Sequence, residues 1–148
     1  MIEWHCKAFA ELTVHELYMI LQQRAAVFVV EQTCPYLDSD GADPQAIHLW
    51  ATEGIQLVGY ARVFIGTSTT GYSRIGRVLT TANGRGRGIG REVMRRAIEL
   101  CHTHAPTLPI RLSAQVYLHD FYASFGFMDI SAEYLEDGIP HIDMELQQ

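Results

Sequence analysis

Arg85-Gly86-Arg87-Gly88-Ile89-Gly90 stands between a stretch with strand character, Tyr72 to Thr81, and an amphipathic run from about residue 88 to 104. Glycines lack Cβ, so the backbone there can curl with its amides pointing inward and approach a ligand closely. A helix start adds unpaired N–H groups and the positive end of the helix dipole. The combination suits a phosphate or pyrophosphate, and Arg85 and Arg87 add positive charge beside it. Gly84, Gly86, Gly88 and Gly90 alternate, so the G-x-G-x-x-G dinucleotide pattern is absent. A triphosphate loop ends in Lys followed by Ser or Thr, and this segment has no Lys. On these residues alone, a flexible turn capped by an arginine-rich helix is the alternative.

Working outward, residues 2–9 alternate loosely as a first strand, and Thr13-Val14-His15-Glu16 has the form of a capping box. The helix that follows carries Val14, Leu17, Leu21 and Phe28 at helical spacing, with an indefinite end in the β-branched run Val27-Phe28-Val29-Val30. Residues 32–46 read as a long loop, of the kind that usually carries function. Strands are predicted at 47–53, 57–65 and 72–81, then the helix over 88–104 and a strand at Ile110 to Gln115. Leu118, Phe121, Tyr122 and Phe125 predict a short helix ended by Gly126. Final strands fit 127–135 and 141–147 around Asp137-Gly138. The fold class is mixed α/β around a largely antiparallel sheet, in one domain over residues 1–148.

Composition narrows the function. Hydrophobic residues make up 48% and charged residues 19%, which excludes a disordered chain. No apolar run reaches the roughly 18 residues of a membrane span. Met1-Ile2-Glu3-Trp4-His5 lacks the basic and apolar pattern of a signal peptide, and three scattered cysteines argue against a disulfide framework, so no secretory signal, a cytoplasmic location and no membrane partner are expected. A net charge of -6 argues against nucleic acid as a partner. Seven of the 11 basic residues nevertheless lie between Arg74 and Arg96, while Glu31, Asp38, Asp40 and Asp43 gather elsewhere. One face should therefore attract a small polyanion and another a cation. His5, Cys6, Cys34 and the His102/His104 pair lack ligand-like spacing, so no metal site is expected.

Arg85-x-x-Gly88-x-Gly90 after a strand resembles the acetyl-coenzyme A pyrophosphate loop of the GNAT N-acetyltransferases. Phe121-Tyr122-Ala123-Ser124-Phe125-Gly126-Phe127 resembles that family's later helix motif, and the element order matches along the chain. Three segments resemble the ElaA-type branch: Arg24 to Gln32, Cys34-Pro35-Tyr36-Leu37-Asp38, and Tyr134-Leu135-Glu136-Asp137-Gly138-Ile139-Pro140-His141.

The resemblance implies a GNAT-like acyl-CoA N-acyltransferase fold with a splayed parallel strand pair, here Tyr72–Thr81 and Ile110–Gln115. Acetyl-CoA would be the co-substrate and an amine the acceptor, attacked directly. Val78, Leu79 and Thr80 would line the pantetheine arm, with an amide near Leu79 on the thioester oxygen, where a fixed donor stabilises a developing oxyanion. Arg85, Gly86, Arg87, Gly88, Ile89 and Gly90 would hold the pyrophosphate. Gln115, or Ser113, would stand where many members have a coenzyme-contacting Asn. Tyr122 matches the tyrosine that protonates the departing thiolate, and its alternative is a core aromatic. For the base, Glu31 is placed first, with His48, Glu136, His141 or a water chain open, and a buried, satisfied role favoured for His48. The acidic loop predicts a cationic acceptor, small molecule or peptide amine. A homodimer is the candidate assembly. The competing reading is a coenzyme-A-binding regulatory module that has lost turnover.

Overall fold

Period-two alternation of apolar side chains builds a single sheet of eight strands in the computed structural model, which describes residues 1–148. The strands are β1 (Ile2–Ala8), β2 (Ile47–Glu53), β3 (Gln56–Phe64), β4 (Ser73–Thr80), β5 (Ile110–Gln115), β6 (Met128–Asp129), β7 (Tyr134–Glu136) and β8 (Ile139–Leu146). Their order is β1-β2-β3-β4-β5-β8-β6, with β7 also paired to β8. Every pair is antiparallel except β4 with β5. Helices α1 (Val14–Arg24), α2 (Ile89–His104) and the short α3 (His119–Ala123) complete the fold.

Alternation along the strands separates two cores. Ala51, Val58, Ala61 and Ile75 face Val93, Met94, Ala97 and Cys101 of α2. Trp50, Tyr60 and Leu79 face Ile20 of α1 with Val27 and Phe28 beyond it. Burying a Val or Met of this kind contributes roughly 1.5–3 kcal/mol. The capping box forms as expected: Thr13 Oγ1 accepts from the Glu16 amide at 3.1 Å, and Glu16 Oε1 accepts from the Thr13 amide at 2.9 Å.

Two boundaries differ from the sequence expectation. After Arg24 the chain does not unwind but continues in wider π-helical turns over Ala25–Glu31. Valines crowd an α-turn, and the wider turn relieves them. The strand expected over 127–135 is interrupted, because the Ser131 hydroxyl accepts the Asp143 amide at 2.9 Å in place of a ladder carbonyl. The Asp137-Gly138 turn then closes the β7–β8 hairpin with φ of +51° and +77°, the left-handed pair that two-residue hairpin turns require. No helix is long and apolar enough to cross a membrane.

Candidate active site

β4 and β5 pair at two positions, Ser73 with Ile110 and Arg74 with Arg111. Beyond them the strands separate, and β4 itself is bulged: Arg77 takes φ +51° and the register with β3 shifts between Tyr60 and Arg62. The separation opens a cleft of about 990 Å³, within the range of a small-molecule site. The loop predicted to hold an anion lies at one end of it.

At that end the amides of Arg85, Gly86, Arg87 and Gly88 donate to no group of the protein, and the first turn of α2 adds those of Ile89, Gly90 and Arg91. Gly86 and Gly88 both have φ of +74°, and Gly88 caps α2. A Cβ on Gly84 would collide with the Val58 carbonyl, so the loop lies directly on β3. These observations fit a diphosphate. Arg85, Gly86, Gly88, Ile89 and Gly90 line the cleft, as do Val78, Leu79, Thr80, Gln115, Tyr122 and Glu31. Arg87 does not: its guanidinium turns to Glu53 at 2.7 Å, so the charge expected from it is committed elsewhere.

Main-chain and side-chain groups along β4 and α3 sharpen the geometry. Thr81 donates its amide to the Val58 carbonyl, and the register carries the same pairing to Leu79 opposite Tyr60. The Leu79 amide thus belongs to the sheet, and the cleft-facing main-chain groups beside it are those of Thr80, whose carbonyl accepts from Arg85 at 3.1 Å. Arg85 also pairs with Glu31 at 2.8 Å, and this bond holds the Glu31 carboxyl below its ordinary value. Tyr122 is buried against Phe121 and Phe127, its hydroxyl bonded to no protein group, and burial pushes its phenol pKa up.

The other end of the cleft meets the long loop. Asp38, Asp40 and Asp43, expected to attract a cation, are already paired with Arg24, Arg62 and Arg77 at 2.6–3.4 Å. Arg24 is fully buried. Burial raises the Asp43 carboxyl, but bonds from Arg24 and Arg62 outweigh it and leave it low. His48 is fully buried, accepting from Tyr60 Oη at 2.7 Å and donating to the Asp43 carbonyl at 3.0 Å. It does not line the cleft.

Glu136 and His141 do line the cleft. His141 donates Nδ1–H to the Ile139 carbonyl at 2.7 Å, which fixes the tautomer and leaves Nε2 as the acceptor, 3.5 Å from a Glu136 oxygen. Gln115 exchanges side-chain bonds with Gln32 at 3.2 and 3.4 Å across the opening, while Ser113 bonds to Tyr134 Oη. Cys34 donates its thiol to the Asp137 carbonyl. No group of three or more potential ligands is assembled for a metal ion. The sequence reading passed over Arg91, which lines the cleft from the first turn of α2 and stacks 4.7 Å over Phe125. Its position three residues past Gly88 was the available signal.

A family model for the acetyltransferase (GNAT) domain matches residues 20–148. The chain is 44% identical over 146 residues to protein ElaA of Escherichia coli strain K12, covering 97% of this chain and 95% of that protein. Its structure is similar to the crystal structure of Escherichia coli ElaA, with TM-score 0.92 and 43% identity, covering 98% and 99% of the two chains. It is equally similar to an acyl-CoA N-acyltransferase from Pseudomonas aeruginosa, with TM-score 0.93, 41% identity and the same coverage.

Proposed function

The chain belongs to the GNAT acetyltransferase family, and on that premise we propose that residues 1–148 form one domain moving an acetyl group from acetyl-CoA directly to an amine. Acyl transfer is the general activity that membership carries, and the mixed α/β sheet with one parallel pair is the family's fold. One observation carries the reading furthest: the diverging β4 and β5 lead straight to a run of unpaired amides over 85–91. A thioester-bearing coenzyme laid in that gap supplies an activated acyl carbon. The amides and Arg85 would hold its diphosphate, Arg91 would add charge, and Val78, Leu79 and Thr80 would flank its arm.

Tyr122 serves as the group facing the departing sulfur. Burial keeps its phenol protonated across the neutral range, so it first donates a hydrogen bond and then gives up its proton as thiolate charge develops. An ammonium acceptor must lose a proton before attack. Glu31 and His141 are both placed to take it, and two features favour His141. Its Nε2 carries the accepting lone pair, with a Glu136 oxygen 3.5 Å away. Glu31 is held low by Arg85, which makes it the weaker base. Glu31 then pairs with Arg85 at the mouth and competes with the diphosphate for it.

The test is thiol release from acetyl-CoA with a panel of amines, beside calorimetric binding of the coenzyme. Release that depends on an amine supports the reading. Tight binding with no release for any amine replaces it with a regulatory coenzyme-binding module. A cytoplasmic location and a homodimer belong to the same proposal, and sedimentation tests the latter.

A further inference from the structure

Nearly every arginine is committed. Of the ten in the chain, all but Arg74 and Arg91 pair with a carboxylate. Both exceptions line the cleft. Arg91 sits among the free amides where a diphosphate fits. Arg74 stands where β4 and β5 still pair, its guanidinium 4.7 Å over the Phe64 ring. Stacking of this kind holds a guanidinium in place and leaves its N–H edge available.

Strand alternation sets the face. Ile75, Leu112, Ala114 and Met144 pack toward α2, so Arg74, Ser113, Gln115 and His141 lie on the opposite face. No carboxylate pairs with Arg74: on that face Asp143 accepts from Tyr134 Oη at 2.6 Å, and Glu136 stands beside His141. Asp38, Asp40 and Asp43 hold three other arginines, and Glu145 holds Arg111. A polycation would bring like charge against Arg74, with the acidic loop already neutralised.

We propose that the acceptor is an amine that also bears a carboxylate, which Arg74 binds while the amine is presented to His141. This identification rests on the acyl-transfer reading above. A lone guanidinium suits a monoanion and grips it through charge-assisted, forked hydrogen bonds. Along β5, Arg111 beside Arg74 and Gln115 opposite His141 are four residues apart, about 13 Å at the usual rise per residue. The arginine side chain spans part of that distance. The carboxylate and amine of the acceptor are therefore several bonds apart, as in a dibasic amino acid or a short peptide with a free C-terminus.

Matched acceptors that differ in one carboxylate test this: lysine against cadaverine, and a glycine tripeptide against its C-terminal amide, each assayed by thiol release from acetyl-CoA. The acid member should be preferred in kcat/KM by about tenfold or more, the scale of one charge-assisted contact. Arg74→Gln should erase the preference through KM, with coenzyme affinity unchanged. Preference for lysine identifies a free amino acid, and preference for the tripeptide a peptide terminus. Preference for cadaverine or the amide, or a preference that survives Arg74→Gln, overturns the assignment and leaves acyl transfer standing. If neither pair nor any other amine gives thiol release, acyl transfer and this assignment fall together, while release with other amines but neither pair overturns this assignment alone.

Discussion

Tyr122 meets two environments, an aromatic wall formed with Phe121 and Phe127 and an open cleft at its hydroxyl. Tyr122→Phe keeps the wall and removes the oxygen. Turnover should fall on the order of 100-fold, as for loss of a general acid, while calorimetry finds coenzyme affinity unchanged. Unchanged turnover would make Tyr122 a packing residue. Glu31 offers a contrasting experiment. Its carboxylate holds Arg85, so Glu31→Gln releases a guanidinium at the proposed diphosphate end. Coenzyme affinity should rise a few-fold, and turnover should hold. In His141→Gln turnover should fall on the order of 100-fold with coenzyme affinity unchanged, as for loss of a general base. That loss of turnover in Glu31→Gln instead would return the base to Glu31. Tyr122 was legible in the sequence because its helix motif is local. The Glu31–Arg85 pair was not, since its partners lie 54 residues apart and meet through the fold.

At the scale of elements, the loop 85–90 and helix α2 followed from glycine spacing and amphipathic periodicity, both local properties. Gly88 at φ +74° tests the element directly. A left-handed conformation costs a non-glycine residue roughly 1–2 kcal/mol, so Gly88→Gln and Gly88→Glu share that strain. Their difference isolates charge: Glu should weaken coenzyme binding at least about tenfold beyond Gln, in line with one charge-assisted contact. Equal affinities would move the diphosphate elsewhere. What the sequence could not reveal is where pairing stops. Gly76 is a local mark of a bulge, but nothing in the sequence says that β4 and β5 part after two rungs. The π-helical turns over Ala25–Glu31 are similar. The valines signalled an indefinite helix end, but the outcome was a widened helix that carries Val27, Phe28 and Glu31 into the cleft.

For the whole molecule, the buried ion network decides how the acidic loop sits. Arg24 on α1, Arg62 on β3 and Arg77 on β4 converge on Asp38, Asp40 and Asp43, and so fix one wall of the cleft. Arg24→Met should cost about 3–5 kcal/mol, because two buried carboxylates lose a partner. Adding Asp43→Asn should recover part of that in urea unfolding. Bonds to Arg62 hold Asp40 well below its ordinary value, and the arginines also hold Asp43 low despite burial. Such groups stabilise the fold above the ordinary carboxylate value near ~4 and lose that contribution as pH falls through their folded-state values. Tm should therefore stay level from about pH 7 to 5 and fall below about 4, and fall less steeply in the Asp40→Asn variant. By itself the sequence determined most strands and helices, the glycine-rich turn before α2 and the family, because these rest on short-range spacing. Tertiary structure alone decided which charges remain free. Ion pairing joins residues far apart in the chain, and it turned an acidic loop that read as a cation trap into a neutral wall, leaving Arg74 unpaired in the cleft.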